Sequence, residues 1–137
     1  MIKIFLIIFS ISTIYANDLD IASNIFEKIV TSMSHQEKPK IYVYKDIKAI
    51  SRNMKKFNLV ESCEEAEIIL LSSIKNIPAT CRDKVLFGTK YRHLKNEKVV
   101  GAFFWQKGRP NILFYKNRLN KHHIKLDSSF DKYIENK

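Results

Sequence analysis

Each of the chain's two cysteines precedes a short apolar run by the same distance, and this arrangement constrains the fold most. Cys63 lies four residues before residues 67–71 (EIILL), and Cys81 lies four residues before residues 85–87 (VLF). Consecutive apolar residues are typical of a strand that is covered on both faces, as in the interior of a parallel α/β sheet. If the two strands are parallel neighbours, both thiols lie at the same end of the sheet.

We therefore predict a disulfide between Cys63 and Cys81, because this placement brings their Cα atoms within the ~4.4–6.8 Å that the bond requires. The alternative is that the two thiols are small buried hydrophobic side chains. Neither cysteine belongs to a CxxC motif, and two cysteines with scattered histidines do not form a zinc pattern. No metal site and no cofactor are expected.

The remainder of the chain alternates helical and strand-like patterns. Apolar side chains recur at helical spacing over residues 18–34, which predicts an amphipathic helix with Asp18 and Asp20 at its start. Further expected elements are a strand at residues 41–44, a helix capped by Asp46 with Ile47, Ile50, Met54 and Phe57 on one face, a hairpin of residues 99–106 and 111–115 around a four-residue turn, and a last helix at residues 126–134. This order predicts a single mixed α/β domain with early parallel strands, a C-terminal β-hairpin and a terminal helix.

Residues 1–16 (MIKIFLIIFSISTIYA) have the pattern of a secretory signal peptide. Lys3 precedes an apolar run, Ala16 supplies the small residue that cleavage requires, and the chain turns polar at Asn17. The apolar run is shorter than the ~20 residues of a membrane span. A buried first strand and an uncleaved anchor are the alternatives. We predict export, with residues 17–137 as the mature domain, into an oxidising compartment where a disulfide persists.

Positive charge is concentrated in one segment of the chain. The 24 basic and 14 acidic residues give a net charge of +10, and residues 75–125 alone hold thirteen basic and two acidic residues. One interpretation is a solvated surface, and the other is a face that meets an acidic partner. The strongest focus is FFWQKGRP, which combines aromatic and basic types enriched at binding hot spots. The predicted partner-binding residues are Trp105, Lys107, Arg109, Lys116 and Arg118.

The residue pattern argues against nucleic-acid binding and against catalysis. No DNA- or RNA-binding motif is present, and export separates the chain from nucleic acid. The serines lack a nucleophile elbow, and the adjacent pair His122 and His123 diverges by ~100° on a helix. We therefore expect a protein that is not an enzyme.

A set of features in the second half of the chain carries a family resemblance. They are the strand at residues 85–87, Leu94, Gly101 with Phe103 and Phe104, the Gly108-Arg109 turn, Ile112-Leu113-Phe114 with Asn117, and Ile124 and Leu126 before Phe130 and Tyr133; residues 41–44 and Cys63 add to them upstream. In these features the chain resembles the YfiR-like family of secreted bacterial proteins. Val100 departs from the family, which usually has a second glycine there.

The resemblance implies a small periplasmic protein without catalysis. Such a protein regulates a membrane-bound signalling protein, a diguanylate cyclase or a sensor kinase, by binding its periplasmic domain. Whether it also forms a homodimer is left open. A small-ligand-binding periplasmic protein is the alternative function, and a small secreted hydrolase is a further one.

Overall fold

Seven strands form one mixed sheet in the structure, a computed structural model that describes the backbone of residues 2–137 and the side chains from residue 18 onward. The strands are β1 (Lys40–Tyr44), β2 (Asn58–Leu59), β3 (Ile68–Leu71), β4 (Val85–Gly88), β5 (Val99–Gln106), β6 (Arg109–Tyr115) and β7 (Ile134–Glu135). Their order across the sheet is β2-β1-β3-β4-β5-β6-β7. All neighbouring pairs are parallel except β5 and β6, which form an antiparallel hairpin. The predicted mixed α/β fold is therefore confirmed.

Helical segments connect the strands. The α-helices are α1 (Ile2–Ser34), α2 (Lys48–Ser51) and α3 (Lys116–Lys121), and the 3-10 helices are Met54–Lys56, Ala79–Cys81, Tyr91–Lys95 and Ser128–Tyr133. The helix predicted over residues 18–34 is confirmed, but Asp18 and Asp20 do not start it, because α1 already begins at Ile2. The predicted signal peptide, residues 1–16, lies outside the residues whose side chains are described. Within the described residues, no helix has the length and apolar character needed to cross a membrane.

The sheet separates two apolar clusters. The first lies under α1 and includes Phe26, Ile29, Ile68, Leu70, Phe87, Phe103 and Phe114. The second lies on the opposite face and includes Ile69, Leu71, Leu86, Leu94, Phe104 and both cysteines. Since successive residues of a strand point to opposite faces, β3 contributes to both clusters and is buried along its whole length. This confirms the interior strand predicted at residues 67–71.

The predicted disulfide joins the chain ahead of two neighbouring parallel strands. Ile68 of β3 pairs with Val85 of β4, which brings the segments before these strands together. Cys63 and Cys81 are bonded there, with their Cα atoms 4.9 Å apart and both side chains buried. The bond is consistent with an oxidising compartment outside the cytoplasm.

Two predicted helices take a different form in the structure. The helix assigned to Asp46 as its cap is only the four-residue α2, with Ile47 at the cap position, and Met54 is exposed rather than facing the core. After Ser51 the chain turns and continues as the 3-10 helix Met54–Lys56 before β2. The helix predicted at residues 126–134 is the 3-10 helix Ser128–Tyr133, because the chain must extend again at Ile134 to pair with β6.

Candidate functional site: the hairpin tip

The β5–β6 hairpin closes in a tighter turn than the sequence predicted. Lys107 and Gly108 both have positive φ, at 53° and 75°, which is the conformation of a two-residue type I′ turn. This turn is favoured because its twist matches that of the flanking strands. Arg109 and Pro110 consequently belong to β6, where they pair with Gln106 and Trp105. The predicted hairpin is confirmed, and its predicted four-residue turn is wrong.

Trp105 is an exposed aromatic side chain supported by buried ones. Its side chain is 47 % exposed, and its ring centroid lies 6.2 Å from that of Phe103. Phe103 in turn packs edge-to-face against Phe26 of α1, with centroids 5.0 Å apart. The row of three rings holds Trp105 on the α1 side of the sheet and leaves part of the indole open to solvent.

The opposite side of the hairpin carries an aromatic residue that the sequence did not single out. Tyr91 is 62 % exposed and packs edge-to-face against Phe104, with ring centroids 5.6 Å apart. Because paired residues of antiparallel strands share a face, Arg109 lies on this same side through its pairing with Gln106. In the sequence, the feature that could have indicated Tyr91 as a surface residue is its position within a basic run. Both sides of the hairpin therefore contribute to the core near its base and to the surface near its tip.

An open cavity of about 500 Å³ lies beneath Trp105. Phe26, Phe103 and Trp105 form its aromatic wall, and the polar residues Asp18 and Thr89 also line it. The cavity lies beyond the carboxyl ends of β1 and β4, near the point between β1 and β3 where the strand order reverses. In open α/β sheets this is the usual position of a ligand site.

The five predicted partner-binding residues do not form one patch. Trp105, Lys107 and Arg109 lie at the tip of the hairpin, whereas Lys116 and Arg118 follow the other end of β6. Arg109 and Lys116 are seven positions apart along extended strand, a distance of ~23 Å. The structure thus brings three of the five together.

Arg118 is occupied within the fold. Its Nη1 donates hydrogen bonds to the backbone oxygens of Leu94, Asn96 and Val99 at 2.8, 3.2 and 2.9 Å. Its guanidinium also lies 4.5 Å from the centre of the Tyr115 ring. Arg118 therefore fastens the Tyr91–Lys95 helix to the start of β5, an internal role that the sequence pattern did not indicate. A role in partner binding stays a prediction.

Replacing Arg118 by Met is expected to lower the free energy of unfolding by about 2 kcal/mol, because three carbonyl groups lose a charged donor while the aliphatic packing is kept. Urea denaturation measures the change. Lys116→Met, two residues away and exposed, is the matched control and should stay within about 0.5 kcal/mol of the parent. Equal stability of the two variants would contradict the fastening role.

His93 is a buried histidine with a defined protonation state. Its Nδ1 accepts hydrogen bonds from the backbone N–H groups of Thr89 and Lys90, at 3.1 and 3.2 Å. Burial, together with the positive charges of Lys90 and Arg92, lowers the pKa of His93 to about 4. The ring is therefore neutral at pH 7, and its two N–H partners require the lone pair to be on Nδ1. His93 therefore has a structural role: it holds the backbone of Thr89 and Lys90 in place after β4.

In the described residues, no group of three or more His, Cys, Asp or Glu side chains is arranged to hold a metal ion. The pKa of His122 is lowered by burial and by the neighbouring His123 and Lys121.

The comparisons with known proteins give no further guide to a site. No family model, no curated protein and no solved structure matches the chain.

Proposed function

We propose that this protein is a non-catalytic binding module that acts in the periplasm. In this proposal it binds the periplasmic domain of a membrane signalling protein, either a diguanylate cyclase or a sensor kinase, and regulates it. The class of partner comes from the resemblance to the YfiR-like family in residues 85–134. The disulfide supports an extracytoplasmic location, since such bonds are rare in reducing compartments.

The observation that carries the proposal is the hairpin tip. It presents the half-exposed Trp105 on one face, supported by Phe103, and the exposed Arg109 on the other face, with Lys107 on the tight turn between them. Aromatic and arginine side chains dominate the energy of protein interfaces, and a rigid support reduces the entropy that binding must overcome. Positive charge at the tip favours an acidic surface on the partner.

We expect Trp105→Ala to reduce capture of the membrane partner at least tenfold, because it removes the central aromatic contact while the fold is retained. Crosslinked pull-down of the tagged protein from native membranes, quantified by mass spectrometry, measures this. Arg109→Glu should have a similar effect through charge reversal.

Met54→Ala is the matched control, since Met54 is also exposed and apolar but lies far along the sheet, next to β2. Capture that is lost equally in the Met54 and Trp105 variants would mean that the hairpin tip is not the binding surface. The absence of any specific membrane protein would count against the regulatory function itself.

The cavity beneath Trp105 favours one alternative, a small-ligand-binding periplasmic protein. Its volume of about 500 Å³ lies within the range of ligand pockets. A ligand that binds only the folded state raises the apparent melting temperature, so a thermal-shift screen separates this alternative from the regulator.

A further inference from the structure

The outer edge of β6 is open along its first half. In the type I′ hairpin, Gln106 and Arg109 form the hydrogen-bonded pair that closes the turn, and bonded pairs then alternate along the ladder. Asn111 and Leu113 therefore bond to β5, whereas the backbone groups of Pro110, Ile112 and Phe114 point away from it. Pro110 fits this pattern, because a residue without an N–H group is tolerated where that group would face outward.

Only the second half of this outer edge is covered by a strand. β7 pairs with Phe114 and Tyr115 through Ile134 and Glu135. Before Ile134 the chain is the 3-10 helix Ser128–Tyr133, which leaves the line of the strand. Within the described residues, the N–H and C=O of Ile112 and the C=O of Pro110 thus lack a pairing strand.

A groove runs beside the open edge on the α1 side of the sheet. It has a volume of about 610 Å³, and Ile25, Pro110, Ile112, Phe130 and Tyr133 form its apolar surface. The charged residues on its rim are Glu27, Lys28, Asp127 and Lys132. With Lys107 at the adjoining turn, three basic and two acidic side chains surround the groove, in a chain whose net charge is +10. The open edge and its surroundings therefore favour an extended segment with acidic side chains.

We propose that an extended, acidic segment of the partner protein adds to the open edge of β6 as a further strand. Its backbone pairs with Ile112 and with the carbonyl of Pro110, and one of its apolar side chains enters the groove between α1 and the Ser128–Tyr133 helix. Main-chain pairing supplies affinity in this mode, and the groove supplies side-chain specificity. The proposal rests on the proposed function for the existence of a protein partner, and it adds the edge through which that partner binds.

Amide hydrogen exchange followed by NMR tests the open edge directly. In the free protein, the Ile112 N–H should exchange at least tenfold faster than the N–H groups of Asn111 and Leu113 on either side. The probe is an end-capped peptide, Glu-Val-Glu-Val-Glu-Val-Glu, which should slow exchange at Ile112. The same peptide methylated on its backbone nitrogens should not bind, because it lacks the donors for pairing. Slow exchange of Ile112 in the free protein would overturn the proposal, and a dimer measured by light scattering would then identify a second copy of the chain as the occupant.

Two variants at one position separate backbone from side-chain effects. Ile112→Pro removes the outward N–H and should weaken peptide binding about tenfold, whereas Ile112→Ala keeps the N–H and should weaken it less than about threefold. Equal binding by the two variants, or peptide-induced protection elsewhere in the chain, would refute strand addition.

The membrane pull-down distinguishes the two proposals. A partner that is captured equally by the parent protein and by Ile112→Pro preserves the regulatory function and eliminates the edge as its site. If the protein captures no membrane partner but still binds the peptide at Ile112, the regulatory function is refuted and strand addition at the β6 edge is retained.

Discussion

A variant in which Cys63 and Cys81 are both replaced by Ala is expected to unfold with about 3 kcal/mol less free energy than the parent. The bond closes a loop with a sequence separation of 18, and constraining a loop of this length in the unfolded chain accounts for about 3 kcal/mol. Small apolar replacements fit the buried sites, so the lost crosslink dominates the effect. Urea denaturation of the parent and the double variant measures the difference.

Reductant provides the control for this experiment. Dithiothreitol should destabilise the parent by a similar amount and leave the double variant unchanged, because the variant has no bond to reduce. A parent whose denaturation midpoint is the same with and without reductant would contradict the contribution assigned to the disulfide.

Acidification from pH 7 to pH 4 is expected to cost about 3 kcal/mol of stability through His93 alone. The pKa of His93 is about 4 in the folded protein against an ordinary value of 6.5, so between these values the unfolded chain binds more protons than the folded one. The contribution of the neutral ring is thus complete above pH 6.5 and is lost as the pH falls toward 4. A protonated ring would also direct a donor at the N–H groups of Thr89 and Lys90.

His93→Asn isolates this effect from the titration of carboxylates. The Asn side chain has an oxygen that can accept the two backbone hydrogen bonds, and it does not titrate. The unfolding free energy of the variant should therefore fall less between pH 6.5 and pH 4 than that of the parent, by about 3 kcal/mol. Asn120→Gln, an exposed substitution that changes no titratable group, is the control and should keep the parent's slope. Parallel curves for the parent and His93→Asn would disprove the assignment.

The centre of the sheet could be predicted from the sequence because its signals are local. Cys63 and Cys81 precede the apolar runs of β3 and β4 by the same number of residues, and this spacing predicted that the two strands are parallel neighbours. The two β-rich runs on either side of the Gly108 turn predicted the hairpin. β7 escaped prediction because two residues carry no periodicity, and its position depends on pairing with Phe114. The 3-10 type of the Ser128–Tyr133 helix could not be predicted for a related reason, since a pattern this short does not distinguish a 3-10 turn from an α-helical one.

The candidate site was predictable only in part. Composition drew attention to the segment around Trp105, and the structure shows that the Trp105 side chain is half exposed. It did not distinguish Arg109, which lies exposed, from Arg118, which binds three carbonyl groups inside the fold. That difference depends on contacts between residues about twenty positions apart, which no local pattern reveals. Tyr91 was missed because its exposure depends on how it packs against Phe104.

The long sequence separation between α1 and the segments that it packs against has a consequence for the order of folding. Its buried face packs against segments that are synthesised much later: the Ser32 hydroxyl accepts a hydrogen bond from the Asp127 N–H, 95 residues away, and His35 contacts the Lys125 carbonyl, 90 residues away. Contacts this distant form only after most of the chain is available. A nascent chain that ends before β6 leaves the apolar stripe of α1 without Phe114 and Phe130, so we expect it to stay unfolded until β6 and the residues after it have been made. For any protein that crosses a membrane through a channel, such a delay keeps the chain unfolded during passage.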